Sequence, residues 1–432
     1  LKEWSWPERG ADAEKASFEF QAERFKRGVI PTDYALGVVK DMLLKQYPKS
    51  VPLTWDNDVV LGNLVADVML SAVNARSTPG VPLCVLAPTN AKLFASHRDL
   101  VLQCVKQRLT LLSQTSPSVL AKMSASQRVR AGYVDPIRVF IKKEPHNRLK
   151  VAQKRLRIIC SVSIVDQIIE RILHTAQNEA EIQNWRFIPS KPGASMCKDE
   201  DVQDFAREVF ARKNLVDVDI SGFDWSVQGW ELFFDALIRC ELAIGASVPW
   251  NRAVMNRVNC LARAVFVFAD GECVEQLEDA LQKSGSFNTA STNSRIKVAL
   301  AYLIGASYVA AYGDDAIEDK VSGGPEFYAE LGHPVKSYND CGDTILFCSS
   351  RIRKDGSWEP ETWDKTFYRF LNQGDVSRGL WLQFLYTLRH CPHLGRIRDF
   401  LRSAGGVLGE RINGWENEEE EWWPEEGCQE GG

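Results

Sequence analysis

Asp314 and Asp315 stand side by side in SYVAAYGDDAIED, just past an apolar run, and a third carboxylate, Asp219, ends LVDVD far upstream. Carboxylate oxygens are hard ligands suited to Mg²⁺, which keeps waters and takes substrate phosphates to complete its octahedron. Two such ions about 3.5–4 Å apart can activate an attacking hydroxyl and stabilise a leaving pyrophosphate. A partner for the phosphates is also present. RVFIKKEPHNRLKVAQKRLR sets Arg138, Lys142, Lys143, Arg148, Lys150, Lys154, Arg155 and Arg157 against Glu144 alone. Each feature by itself has a plainer reading: Gly-Asp is a common turn, an acid at a strand end is commonly solvated, and a basic run is commonly a solvated face. The chemical reading rests on their meeting at one place.

The elements that would bring them together are legible. Leu215 to Ile220 alternates as a short strand, with Asp217 and Asp219 on one face. Trp230, Phe233, Phe234, Leu237, Ile238 and Leu242 follow at helical spacing, so strand, acid, turn and amphipathic helix come in that order. Tyr308 to Tyr312 reads as a buried strand, Gly313-Asp314 as a tight turn, and Asp315 to Glu318 as the start of a return strand. SGSFNTASTNSR, Ser284 to Arg295, is a small-residue loop leading into a helix that ends near Gly305. Val139 to Ile141 and Ile158-Ile159 flank the basic run as strands, which puts its cations on a hairpin or loop. Asp270-Gly271 marks a further hairpin, STPGVPL (Ser77 to Leu83) a Pro/Gly turn, and Ala91 to Leu112 a helix.

Composition narrows the class. A chain of 432 residues, 45% of them hydrophobic, exceeds what one core usually serves, so several subdomains are expected. Eleven cysteines lie singly with no CxxC pair, which fits thiols in a reducing compartment. No run reaches the ~20 apolar residues of a bilayer span, and the amino end is too charged for a signal peptide, so a soluble protein is expected. The net charge of −5 hides an asymmetry: eight glutamates crowd the residues from Glu416 onward, and the body before them is mildly basic. The tail reads as a solvating terminus, with competition for a basic channel or docking on a partner as the sharper alternative. His390, Cys391 and His393 lack a second ligand pair at zinc spacing, and are read as structural.

Together these residues resemble the right-hand RNA-dependent RNA polymerases of positive-strand RNA viruses. Asp219-Ile-Ser-Gly-Phe-Asp224 is similar to that family's motif A; Ser284-Gly285 through Thr289 to Asn293 to motif B; Tyr312-Gly313-Asp314-Asp315 to motif C. The basic stretch ending in Arg157-Ile-Ile resembles motif F, Ser77 to Gly80 motif G, Lys336 the motif D lysine, and Phe347-Cys348-Ser349 motif E. FDWSV and STPGVPL look most like sobemovirus replicases and their polerovirus relatives, for which a start at Leu1 fits release from a polyprotein.

The resemblance implies an α/β (α+β) fold with fingers, palm and thumb, the palm being an antiparallel sheet packed on helices. It divides the chain into fingers with an N-terminal arm (1–210), palm (211–240), a fingers insertion (241–275), palm again (276–350), thumb (351–415) and an acidic tail (416–432) expected to be disordered. Asp219 and Asp314 would hold two Mg²⁺, for which Mn²⁺ can substitute, with Asp315 assisting and Lys336 as general acid toward pyrophosphate. Lys142 or Lys143, with Arg157, would meet the triphosphate. Asp224, Thr289 and Asn293 would read the ribose 2′-hydroxyl, and Ser284-Gly285 would approach template or base closely. Thr78, Gly80, Lys150, Lys154 and Arg155 would contact RNA. Expected partners are RNA template and product, NTPs, a genome-linked protein primer, other replicase proteins and a second copy of the chain, in host cytoplasmic replication complexes that reach membranes through those partners. A noncatalytic RNA-binding replication scaffold and a reverse transcriptase are the alternatives, the first betrayed by RNA binding without incorporation, the second by use of dNTPs.

Overall fold

The computed structural model describes residues 2–374, 376–403 and 407–416; the rest of the acidic tail lies outside the described residues. Its centre is a four-stranded antiparallel sheet in the order Val335–Asp340, Leu215–Ile220, Asp315–Asp319, Val309–Tyr312. Alternation explains the second strand, since Val216, Val218 and Ile220 are buried on a helical layer while Asp217 and Asp219 point the other way. Val309, Ala310 and Ala311 are all buried, as a continuous apolar run should be. Tyr312 pairs with Asp315, which leaves a two-residue turn of Gly313 and Asp314. Gly313 sits at φ 61, a left-handed conformation that glycine adopts without steric cost.

Two helices underlie the sheet. Gly229–Leu242 supplies Leu232, Phe234, Ile238 and Leu242, and Thr289–Ile304 supplies Ile296, Val298 and Leu300. Leu237 departs from the expected apolar stripe and is 41% exposed, because it falls on the helix face turned from the core. The second helix stops at Gly305, φ 106, as a left-handed C-terminal glycine stops helices generally.

A second sheet, ordered Ile158–Ser161, Ile137–Ile141, Val265–Val267, Cys273–Glu275, carries the basic run between its first two, antiparallel, strands. The connection is more structured than a bare loop: His146–Asn147 pairs with Trp4–Ser5, and Arg148–Ala152 is a short helix. Helices Asn90–Gln114, Ile164–Gln183 and Val248–Ala262 share a core that includes Val105, Leu109, Ile168, Ile172 and Val254. C-terminal helices Trp363–Leu371, Arg378–Thr387 and Leu394–Ser403 close around Trp381, Phe384 and Leu388. No disulfide joins the described cysteines, and none of the described helices is long and apolar enough to cross a membrane.

Between the helix Thr289–Ile304 and the return strand lies a wholly buried ion pair. Lys297 Nζ donates to Glu318 Oε2 at 2.5 Å and to the Tyr328 hydroxyl at 2.5 Å, and Tyr328 in turn donates to Glu318. Removing one partner leaves an uncompensated buried charge. Lys297→Met is expected to lower unfolding free energy by about 3–5 kcal/mol, read from denaturant midpoints, and Lys297→Met with Glu318→Leu to recover most of that loss.

Candidate active site

Sheet register carries the acids to one edge. Val218 faces Ala316, so Asp219, one step on, comes level with Asp315 and the hairpin tip. Crowding shows in their carboxyls. Burial, then Asp314 and Asp219, push Asp315 up to about 7. Asp314 reaches solvent, yet the protein around it and the charge of Asp219 also raise its carboxyl above the ordinary value. On the neighbouring strand the pairing is irregular between Val335 and Ser337, and Lys336, projecting there, puts its ammonium on Asp219 Oδ2. Asp217 shares the face of Asp219 and accepts a hydrogen bond from Asn339 Nδ2 at 3.0 Å.

Among the described residues, no group of three or more His, Cys, Asp or Glu side chains is arranged to hold a metal ion by itself. The chemistry of the donors nevertheless fits a hard divalent ion. All are carboxylate oxygens, the charge of Asp219 helps to raise Asp314 and Asp315, and the Lys336 ammonium seated on Asp219 shows that positive charge is accommodated there.

Asn293 Nδ2 donates to Asp224 Oδ1 at 2.7 Å, which joins the helix Thr289–Ile304 to the turn after Asp219. Burial pushes Asp224 up to about 6, and Asn293 Oδ1 is a buried acceptor with no partner. Thr289 does not join this pair. Its hydroxyl is engaged with the carbonyls of Lys283, Ser284 and Ser286, because it stands at the mouth of the turn it closes. Gly285 likewise faces protein rather than open space: its N–H donates to the Cys160 carbonyl at 3.0 Å, and a Cβ there would meet that oxygen at 2.3 Å. Ser284 Oγ accepts from Cys160 N–H at 3.1 Å, so the whole turn is stitched to the strand Ile158–Ser161.

The basic run separates into two sides. Lys142 N–H donates to the Arg157 carbonyl at 2.9 Å, making these two cross-strand neighbours. Both approach Glu144, Arg157 at 3.0 Å and Lys142 at 3.4 Å. Lys143 instead lines a cavity with Trp6, Arg369, Asn372 and Gln373. Arg157 acts on Asp224 and Asp314, and Lys336 on Lys150, so cations surround the acid edge. Arg155 packs over the Phe20 ring at 4.8 Å and Lys154 lends its carbonyl to Ser17, so both help to anchor the N-terminal helix Ala11–Ala22. Thr78 is exposed, and Gly80 (φ 72) lies so close to Ser163 that a Cβ would fall 2.9 Å from its Cα.

Sequence reasoning passed over Ser294. Its Oγ accepts the Gly313 N–H at 2.8 Å and thus fixes the hairpin tip from the adjacent helix. Only its place next to Asn293 could have signalled this. Arg295, Asp235, Arg239 and Glu181 form a buried network between three helices that the sequence shows only as scattered charges. His390 pairs with Asp199 at 2.8 Å, Cys391 is buried and His393 lies against Trp363, an arrangement with structural partners and not a zinc set.

With this geometry in place, comparison with known proteins is direct. A family model described as viral RNA-directed RNA-polymerase matches residues 1–358. The chain is 39% identical over 422 residues to the replicase polyprotein P2AB of Southern bean mosaic virus, covering 93% of this chain and 42% of that protein. It is 34% identical to the RNA-directed RNA polymerase of Mushroom bacilliform virus, covering 79% of this chain and 85% of that one. In fold it is similar to the Sicinivirus 3Dpol RNA dependent RNA polymerase, with TM-score 0.69 at 15% identity over 94% of this chain and 92% of the other. The chain thus spans under half the length of the replicase polyproteins it matches. Its fold is that of a right-hand polymerase, the likeness to sobemovirus replicases read from FDWSV and STPGVPL is borne out, and the chain belongs to the viral RNA-directed RNA polymerase family.

Proposed function

We propose that this chain copies RNA, transferring nucleotides from NTPs to a growing RNA 3′ end on an RNA template. The observation that carries this reading is the convergence of Asp219 and the Asp314-Asp315 tip at one sheet edge beneath Arg157, Lys336 and Lys150. Asp219 and Asp314, with Asp315 in support, are the residues to hold the divalent ions. Those ions, when bound, would polarise the α-phosphate and ease deprotonation of the attacking hydroxyl.

The protein's own groups do the rest. Arg157 and Lys142 bind the triphosphate as charge-assisted donors. Lys336 neutralises Asp219, and its largely exposed ammonium, standing at the acid edge, would hold and deliver a proton to pyrophosphate. Asn293 Oδ1, buried and unpartnered, accepts a hydrogen bond from the ribose 2′-hydroxyl while Asp224 keeps the carboxamide oriented. Most of the rate enhancement is therefore positioning and electrostatics. The relatives are named as replicase polyproteins, which supports work beside other replicase proteins.

Purified protein with single-stranded RNA, NTPs and Mg²⁺ or Mn²⁺ is expected to make complementary RNA, with and without a primer separating the two modes of initiation. Asp314→Ala is expected to lower incorporation by at least about 10²–10³-fold, and chelation to abolish it. Salt-sensitive RNA binding without incorporation would instead mark a scaffold, and preference for dNTPs a reverse transcriptase.

Asp224 gives a second test, in which stability and function move oppositely. Its folded-state carboxyl, at about 6, lies above the ordinary 3.8, so its contribution to stability is complete below about 4 and is lost as pH rises through 6. Asp224→Asn cannot ionise. Thermal melts are expected to show it more stable than the parent at pH 8, on the order of 1–2 kcal/mol, and nearly equal at pH 4. Discrimination between NTP and dNTP is expected to fall by about tenfold or more in the same variant.

A further inference from the structure

Glu144 follows the two lysines in KKEP and is 8% exposed. Three cations meet its carboxylate. Arg157 Nη1 lies 3.0 Å and Lys365 Nζ 3.2 Å from Oε1, and Lys142 Nζ lies 3.4 Å from Oε2. Arg157 and Lys142 come from the basic run, whereas Lys365 comes from the C-terminal helix Trp363–Leu371. A second tie fixes that helix in place: Trp4 Nε1 donates to Asp364 Oδ2 at 2.7 Å, and Trp4–Ser5 pairs with His146–Asn147, just past Glu144. The Lys365 ammonium also stands 5.7 Å from the centre of the Trp4 ring.

Exposure divides the three cations by role. Arg157 and Lys142 side chains are 62% and 40% exposed and can turn to a phosphate, while Lys365 is 24% exposed. A single carboxylate shared among three cations holds each less firmly than it would hold two, because each added cation lowers the negative potential that the others feel. Burial raises the Glu144 carboxyl, but Arg157, Lys365 and Lys142 together keep it below its ordinary value, so it remains an anion that competes with a triphosphate for Arg157 and Lys142.

We propose that Lys365 is a positioning residue for nucleotide binding: by engaging Glu144 from the C-terminal helices it releases Arg157 and Lys142 to the triphosphate, and so makes the grip on the incoming nucleotide depend on that inter-element contact. The proposal rests on the reading of Arg157 and Lys142 as triphosphate ligands. It goes beyond that reading in assigning control of them to a residue far away in the chain.

The test is steady-state incorporation by the full chain on a primed template, with KM for NTP and kcat measured separately and each variant checked for an unchanged melting transition. Lys365→Met is expected to raise KM about three- to tenfold with kcat nearly constant, since Glu144 then claims Arg157 more strongly. In a Glu144→Gln background, where no carboxylate competes, Lys365→Met is expected to leave KM unchanged, and Lys365→Arg alone to retain the parent value. An unaltered KM in Lys365→Met, or an equal rise in the Glu144→Gln background, overturns the proposal, the latter by showing mere loosening of packing. Arg157→Ala separates the two levels: if KM does not rise in that variant, the triphosphate reading has failed, whereas a rise there with no effect of Lys365 rejects the coupling alone.

Discussion

Like charges forced together at the edge of the central sheet set the terms for everything around them. Asp219 helps to raise the carboxyls of Asp314 and Asp315, Asp314 that of Asp315 as well, and nothing about isolated strands would bring them close. The repulsion is overcome by backbone pairing along Leu215–Ile220 and Asp315–Asp319, by the apolar layer beneath, and by the Lys297–Glu318–Tyr328 contact that pins the return strand. Strain at a functional site sustained by rigid surroundings is the expected pattern where local preference and global fold disagree.

The cations form the complement to that edge, and the structure grades them. Lys336 is seated directly on Asp219, Arg157 and Lys142 are shared with Glu144, and Lys143 belongs to a different cleft. An anionic substrate arriving here therefore meets positive charge that is already partly compensated. Of these groups Glu144 is the buried one, and the shared cations compensate its carboxylate where an unpaired charge would be costly.

How far the sequence discloses this depends on the range of the interaction. Period-2 alternation in LVDVDI and the Gly-Asp turn after an apolar run are local, and they located both halves of the acid edge and the hairpin between them. The helix Thr289–Ile304 and its glycine stop were equally local. What could not be read was partner choice across the fold. Gly285 is small because of the Cys160 carbonyl, Thr289 is turned toward its own loop, and Arg155 is spent on Phe20, each decided by an element distant in the chain. Buried ions such as Lys297 and Arg295 were invisible for the same reason, since a charged residue in sequence gives no sign of the partner that permits its burial.

Adjacent residues of one helix hold two different parts of the site. Asn293 reaches Asp224 and Ser294 holds the Gly313 N–H, about 100° apart around the same axis. A rigid helix cannot rotate or slide under one without moving the other. On the function proposed above, sugar choice and nucleotide transfer would share one mechanical support, and changes that sharpen selection by shifting the helix would carry a cost in turnover. Only substitutions that alter a single side chain without displacing the helix can separate the two.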